Sequence, residues 1–333
     1  MKIFRILVAI VLVVSGMVST VGSGGGGISS GKLDIPTGCC GAGPTADVDI
    51  TIANTQDVSA TVVQAIDRVF DVATQVGGQI FPSPPAAPDL LSSNSKFELF
   101  FEVANGNVTV PCAVNGTVTV TGFPDNNPVS LSVGDVFHLM FEVCDNGDSY
   151  SFNGSYYLHV RELNGDPRTD VFRLVYALQD MTLTVSSGIG SYVASNNAVL
   201  GWDSIAFPEV VLGVSTATLQ LSSQGDVYSW LYGYHSLTVN ADISNPMTLG
   251  EAHNSFMKSV ILGDYLSYVI IAPLQAPEGQ DPESGEILVS GGSENGTVHI
   301  VIESSASVRL EIDSDGDGTV DDYQYTTWTE LQG

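Results

Sequence analysis

Near the C-terminus the run DSDGDGTVDD, residues 313 to 322, gathers more oxygen ligands than any other short stretch of the chain. Asp313, Asp315 and Asp317 stand at every second position, Gly318 permits a sharp turn, Thr319 offers a backbone carbonyl and Asp321 a further carboxylate. A hard cation such as Ca²⁺ collects about six to eight oxygens in this manner, and crowded carboxylates without a cation repel one another. Two readings fit. One is a calcium loop ligated by Asp313, Asp315, Asp317, Thr319 and Asp321, and the other is a bare acidic hairpin turn.

The run resembles the D-x-D-x-D-G loops of EF-hands, dockerins and thrombospondin-type repeats. It departs from them at the twelfth position, where Gln324 replaces the bidentate acid, and Tyr323 and Tyr325 alternate after it in the manner of a strand. The resemblance implies a structural calcium ion of weak, extracellular-type affinity, set between two strands instead of between helices.

A second stretch, YSWLYGYH, places Tyr228, Trp230, Tyr232 and Tyr234 at alternate positions. On a strand this is a ladder of rings able to line a groove for a glycan or lipid, or to fill a sheet-on-sheet core. Catalytic patterns are missing: His138, His159, His235, His253 and His299 show no H-E-x-x-H spacing, and there is no G-x-S-x-G elbow and no phosphate loop. A secreted polysaccharide hydrolase working through a carboxylate pair is the enzymatic alternative, and it needs two acids roughly 5 to 10 Å apart across a groove.

These groups need a compartment. Lys2 and Arg5 precede an apolar run from Ile6 to Val14 that is too short to span a bilayer, so residues 1–22 read as a secretory signal peptide. Residues 23–47 form a Gly-rich tether. This layout resembles the start of bacterial lipoproteins, except that Ser23 stands where the lipid-bearing thiol would be. The expected location is therefore periplasmic, outer-membrane-associated or extracellular, with membrane association only if the chain is lipidated. Losing Lys2 and Arg5 takes the formal net charge of −27 two units further negative, a surface that repels nucleic acid and anionic lipid headgroups.

Four cysteines in an exported chain suggest disulfides. Cys112 and Cys144 close the strand-like runs TVPC and FEVC and are expected to pair. Adjacent Cys39 and Cys40 leave three options open: a strained mutual bond, a link to another chain, or free thiols.

The elements that would position these groups follow from periodicity. In residues 54–76, Val58, Val62, Ile66, Val69, Ala73 and Val76 recur at helical spacing, with Asn54 or Thr55 as cap and Gly77 as stop. The Pro-rich run 82–89 breaks the pattern, and beyond it nearly everything alternates as strand. Asn-Gly pairs at 105–106, 115–116, 146–147, 153–154, 164–165 and 295–296 read as hairpin turns, with the glycosylation acceptor as the other reading of those followed by Ser or Thr. FELFFEVANG from Phe97 and FHLMFEVCDNG from Phe137 echo one another, with Phe137, Leu139, Phe141 and Val143 as a buried stripe in the second copy.

The expectation is a mainly β protein: a large antiparallel curved sheet (sandwich or half-barrel), one N-terminal helix packed on it, and a C-terminal β-hairpin unit. Its parts are a main domain at 48–274, a linker at 275–286 and the unit carrying the acidic loop at 287–333. The signal, tether, helix, Cys-flanked hairpins and closing TTWTEL at 326–331 resemble uncharacterised secreted, lipoprotein-like β proteins of Gram-negative bacteria. That resemblance implies no established activity, so the expected role is non-enzymatic: structural, or binding a lipid or glycan.

Overall fold

Alternating apolar residues commit most of the chain to one antiparallel sheet, seen in a computed structural model. It describes residues 46–72, 106–112, 114–123, 131–145, 150–165, 172–187, 190–205, 209–216, 220–223, 226–240, 247–259, 261–277, 280–292 and 296–332. The expected signal peptide and most of the expected tether, with Ser23, Cys39 and Cys40, the Pro-rich run and nearly all of the first copy of the echo, lie outside them.

Helix α1 spans Thr55–Asp71. Strands follow at Asn107–Pro111 (β1), Asn115–Gly122 (β2), Val136–Asp145 (β3), Tyr150–Gly165 (β4), Phe172–Ser187 (β5), Gly190–Asp203 (β6), Glu209–Thr216 (β7) and Gln220–Ser223 (β8). The series continues with Asp226–Asn240 (β9), Met247–Ser259 (β10), Tyr265–Pro277 (β11), Ser284–Ser290 (β12), Thr297–Ser304 (β13), Ser307–Asp313 (β14) and Asp322–Thr326 (β15). Helix α2, Trp328–Gln332, closes the chain.

The 15 strands among the described residues belong to one open sheet, from β1 at one edge to β15 at the other. Neighbours in sequence are neighbours in space, so the hairpin connection dominates. The departure is at β7 and β8, which share one strand position: β7 pairs with one half of β6 and β9, and β8 with the other half.

Apolar side chains on one face of this sheet and on α1 form one hydrophobic cluster. In the C-terminal strands the layers are regular, with Val289 opposite Val298, Ile287 opposite Ile300, and Ile300 opposite Leu310. All five are fully buried. Val58, Val62, Ile66 and Val69 of α1 are buried as their spacing predicts. Phe70 sits against the sheet at Gly250, where an added Cβ would come within 3.2 Å of the Phe70 ring. The predicted residues 73–76 lie outside the described ones. Asn54 holds the N-cap position without capping: its Oδ1 accepts a hydrogen bond from the Thr51 N–H instead.

Three sequence expectations change in the sheet. Val143 adopts φ 48° and is 54% exposed, while Cys144 is buried. The ladder shifts between Phe141 and Cys144, so the stripe of Phe137, Leu139 and Phe141 continues inward through Cys144 and not Val143. Asn153–Gly154 is no turn but lies inside β4, with Gly154 paired on both sides and Asn153 paired with Thr184 of β5. Lastly, residues 275–286 contain the end of β11 and the start of β12, and Gln275 pairs with Ser284.

Candidate metal centre and the ordered C-terminal hairpin

The acidic loop joins β14 to β15, as its alternating flanks predict, and backbone hydrogen bonding organises it from within. Asp313 is 8% exposed, and its two carboxylate oxygens accept from the Gly316 and Gly318 N–H groups at 2.7 and 2.9 Å. Asp315 Oδ1 accepts from Asp317 N at 3.2 Å, and Asp317 Oδ1 from Thr319 N at 2.7 Å. Such side-chain-to-backbone bonds two residues on are what Asp offers a turn. Gly316 and Gly318 take φ of 71° and 86°, a conformation that a side chain would strain.

The nested turns bring Asp313, Asp315 and Asp317 together, with one ligand oxygen from each lying within 4.8 Å of the others. This group can hold a metal ion. Asp321 is used differently. Its Oδ2 accepts from the Ser314 N–H at 2.8 Å and the Ser314 hydroxyl at 2.6 Å. Those two bonds, the hydroxyl first, hold the Asp321 carboxyl below its usual range. The Asp321 N–H donates to the Ile312 carbonyl at 2.7 Å, so Asp321 latches the base of the loop.

Outside the loop, the same strands carry a row of polar and charged groups. His299 Nδ1 stands 2.9 Å from Glu311 and Nε2 stands 3.1 Å from Glu286, spanning three adjacent strands. Arg309 bonds Glu303 at 2.8 Å and also pairs with Glu311.

Helix α2 follows from TTWTEL through a capping signal at its start. Thr327 Oγ1 accepts from the Glu330 N–H at 3.1 Å, and the Glu330 carboxylate accepts from the Thr327 N–H at 3.0 Å. This reciprocal pair is a capping box, and its S/T-x-x-E spacing was the available signal. The box lets one short turn insert Trp328 and Leu331 into the core, both buried. Gln64 and Asp67 of α1 bond residues Leu331 and Gln332, tying α2 to α1.

The disulfide expected from sequence is present: Cys112 and Cys144 are bonded, with Cα atoms 5.4 Å apart. It ties the turn after β1 to β3, next to the Val143 bulge. The aromatic residues Tyr228, Trp230, Tyr232 and Tyr234 lie on β9. The register sets Tyr228 and Trp230 opposite Ser259 and Met257 of β10, and Tyr232 and Tyr234 opposite Phe256 and His253. The ladder shifts between Phe256 and Met257, so the two pairs are not in one unbroken register. Their side chains lie outside the described residues.

Among the described residues, no helix is long and apolar enough to cross a membrane. No protein-family model, curated protein or solved structure matches the chain.

Proposed function

We propose that the protein is an exported, non-enzymatic component of the cell envelope or extracellular space, structural or binding a lipid or glycan, with Ca²⁺ as a structural ion in the 313–321 loop. The leader-like N-terminus and the Cys112–Cys144 bond support an oxidising compartment outside the cytosol. The aromatic residues of β9 are the candidate ligand-contacting groups.

The observation that carries the calcium reading is the convergence of Asp313, Asp315 and Asp317 oxygens within 4.8 Å inside a loop already shaped by its own backbone. Such pre-organisation lowers the ordering cost of binding, and all three donors are the hard oxygens that Ca²⁺ prefers. Because the loop closes the β14–β15 hairpin, the ion would tie the last strand to the sheet. The carbonyl of Thr319 would complete the ligand set from within the loop, with Asp321 latching its base.

Calorimetric titration of Ca²⁺ into the protein, with thermal unfolding in EDTA and in about 10 mM Ca²⁺, tests this. An affinity of about 10⁻⁴ to 10⁻³ M gives roughly 1.4 to 2.7 kcal/mol of stabilisation at that concentration. Asp315→Ala and Asp317→Ala should abolish both the heat and the stabilisation. No heat, together with an unchanged melting curve, leaves the loop a bare acidic turn.

A further inference from the structure

Three Asn-Gly pairs fall wholly within the described residues, and the fold treats them differently. Asn153–Gly154 lies mid-strand, with Gly154 opposite Phe141 on one side and Leu183 on the other. The Asn153 side-chain oxygen is also engaged, accepting from the Val143 N–H at 3.4 Å. Asn115–Gly116 opens β2, but Gly116 is wedged against the Glu142 and Val143 carbonyls and accepts a hydrogen bond from the Cys112 N–H beside the disulfide. Asn164–Gly165 occupies the last two positions of β4, both residues are exposed, and Gly165 has φ 87°.

We propose that Asn164 is a site of spontaneous, structure-directed deamidation, converting to aspartate and isoaspartate in the folded protein, while Asn115 and Asn153 are protected by the sheet. In the first step the Gly165 backbone nitrogen attacks the Asn164 side-chain carbonyl carbon and closes a five-membered succinimide. The side-chain nitrogen leaves as ammonia, taking up the proton that the Gly165 nitrogen loses. Water then adds to one of the two imide carbonyls. One ring opening yields aspartate and the other yields isoaspartate, whose main chain runs through the former side chain. The only co-reactant is water.

The reaction requires the Gly165 nitrogen to rotate toward its neighbour's side chain. Glycine offers the least steric resistance to that rotation, and a strand's final residues offer the least ladder resistance. At Gly154 the same rotation has to break pairing on both sides. The product also has an electrostatic consequence. Asn164 stands opposite Arg173, which already faces Glu162 at 3.0 Å and Asp203 at 3.7 Å. A new carboxylate would add a third acid beside one guanidinium, and isoaspartate would lengthen the main chain by one carbon at the β4 end.

The test is to age the folded protein at mildly alkaline pH beside a reduced, urea-unfolded sample, and to map peptides with separation of Asn, Asp and isoAsp forms. In the folded sample Asn164 should convert faster than Asn115 and Asn153 by about tenfold or more, the penalty of opening one ladder hydrogen bond. In the unfolded sample the three rates should converge. Asn164→Gln should remove the signal at that position and leave the other two unchanged. An intact Asn164 in aged folded protein, or equal rates at all three pairs in that sample, overturns the proposal.

Discussion

The Tyr268 hydroxyl lies 2.7 Å from His235 Nε2, and both side chains are buried in the sheet interior. The pair bridges β9 and β11 across β10, whose Ser255 hydroxyl stands 3.5 Å from the same nitrogen. Phe70 of α1 meets the imidazole edge-on at a centroid distance of 6.2 Å. An imidazole in this setting is folded in its neutral form.

This buried imidazole makes stability depend on pH. Burial, and secondarily the charge of His253, lowers the His235 pKa to about 3, while an unfolded histidine titrates near ~6.5. Below ~6.5 the unfolded chain takes up a proton that the folded chain refuses, so the contribution is whole above that pH and is lost as pH falls toward 3. The loss should reach about 2 kcal/mol at pH ~5. His235→Gln removes the titration, so the difference in unfolding free energy between wild type and variant should shrink between pH ~7 and ~5. Parallel pH profiles would contradict the assignment. Comparison with the variant is needed because the chain's 37 acidic residues have pH dependences of their own.

The disulfide closes a sequence separation of 32 residues and ties Cys112, just after the edge strand β1, to β3. Closure of such a loop stabilises by about 3 to 4 kcal/mol in the chain-entropy model. Urea unfolding of the Cys112→Ser/Cys144→Ser double variant should show a loss of that size. A loss under about 1 kcal/mol would mean that the unfolded chain is already held compact there.

Gly154 and Gly318 both take positive φ, at 128° and 86°, yet they should respond differently to alanine. A Cβ on Gly154 would run into the Thr182 carbonyl oxygen of β5, whereas one on Gly318 meets open space. Gly318→Ala should therefore cost only the left-handed strain of about 1 to 2 kcal/mol. Gly154→Ala adds a backbone collision and should cost clearly more, about 3 kcal/mol or above, or prevent folding. Equal melting temperatures for the two variants would refute the role given to the Thr182 contact.

The C-terminal turn should matter well beyond its five residues. Trp328 is 2% exposed, and its truncation to alanine should cost about 3 to 5 kcal/mol. Thr327→Ala breaks the capping box and should cost about 1 kcal/mol. Denaturant midpoints of both variants check this, and a Trp328→Ala protein as stable as wild type would show that α2 is not docked in solution.

Much of the fold was legible because it depends on local period. Val298, Ile300, Ile302 and Val308, Leu310, Ile312 alternate without interruption, so their strands and inward face follow from residue type alone, and the structure buries all six. The helical spacing of Val58, Val62, Ile66 and Val69 was equally readable. So was the gathering of Asp313, Asp315 and Asp317, since nested turns are made by residues two to five positions apart. The Cys112–Cys144 pairing followed from their placement at strand ends.

What the chain's order could not determine is register, because register is set by what lies opposite. Val143 fits the period-two stripe as well as Phe141 does, but the bulge against β4 turns it outward and places Cys144 inside. Asn153–Gly154 has the composition of a hairpin turn, yet pairing with β3 and β5 draws it into mid-strand. Asp321 reads as another acid of the loop, and only the closeness of Ser314 across the hairpin makes it a latch. Sequence by itself determined which segments are strands, which is the apolar helix and which carboxylates can converge. The tertiary structure alone decided which face a residue meets and which partner it bonds, since a one-residue slip between strands changes both while leaving every local pattern intact.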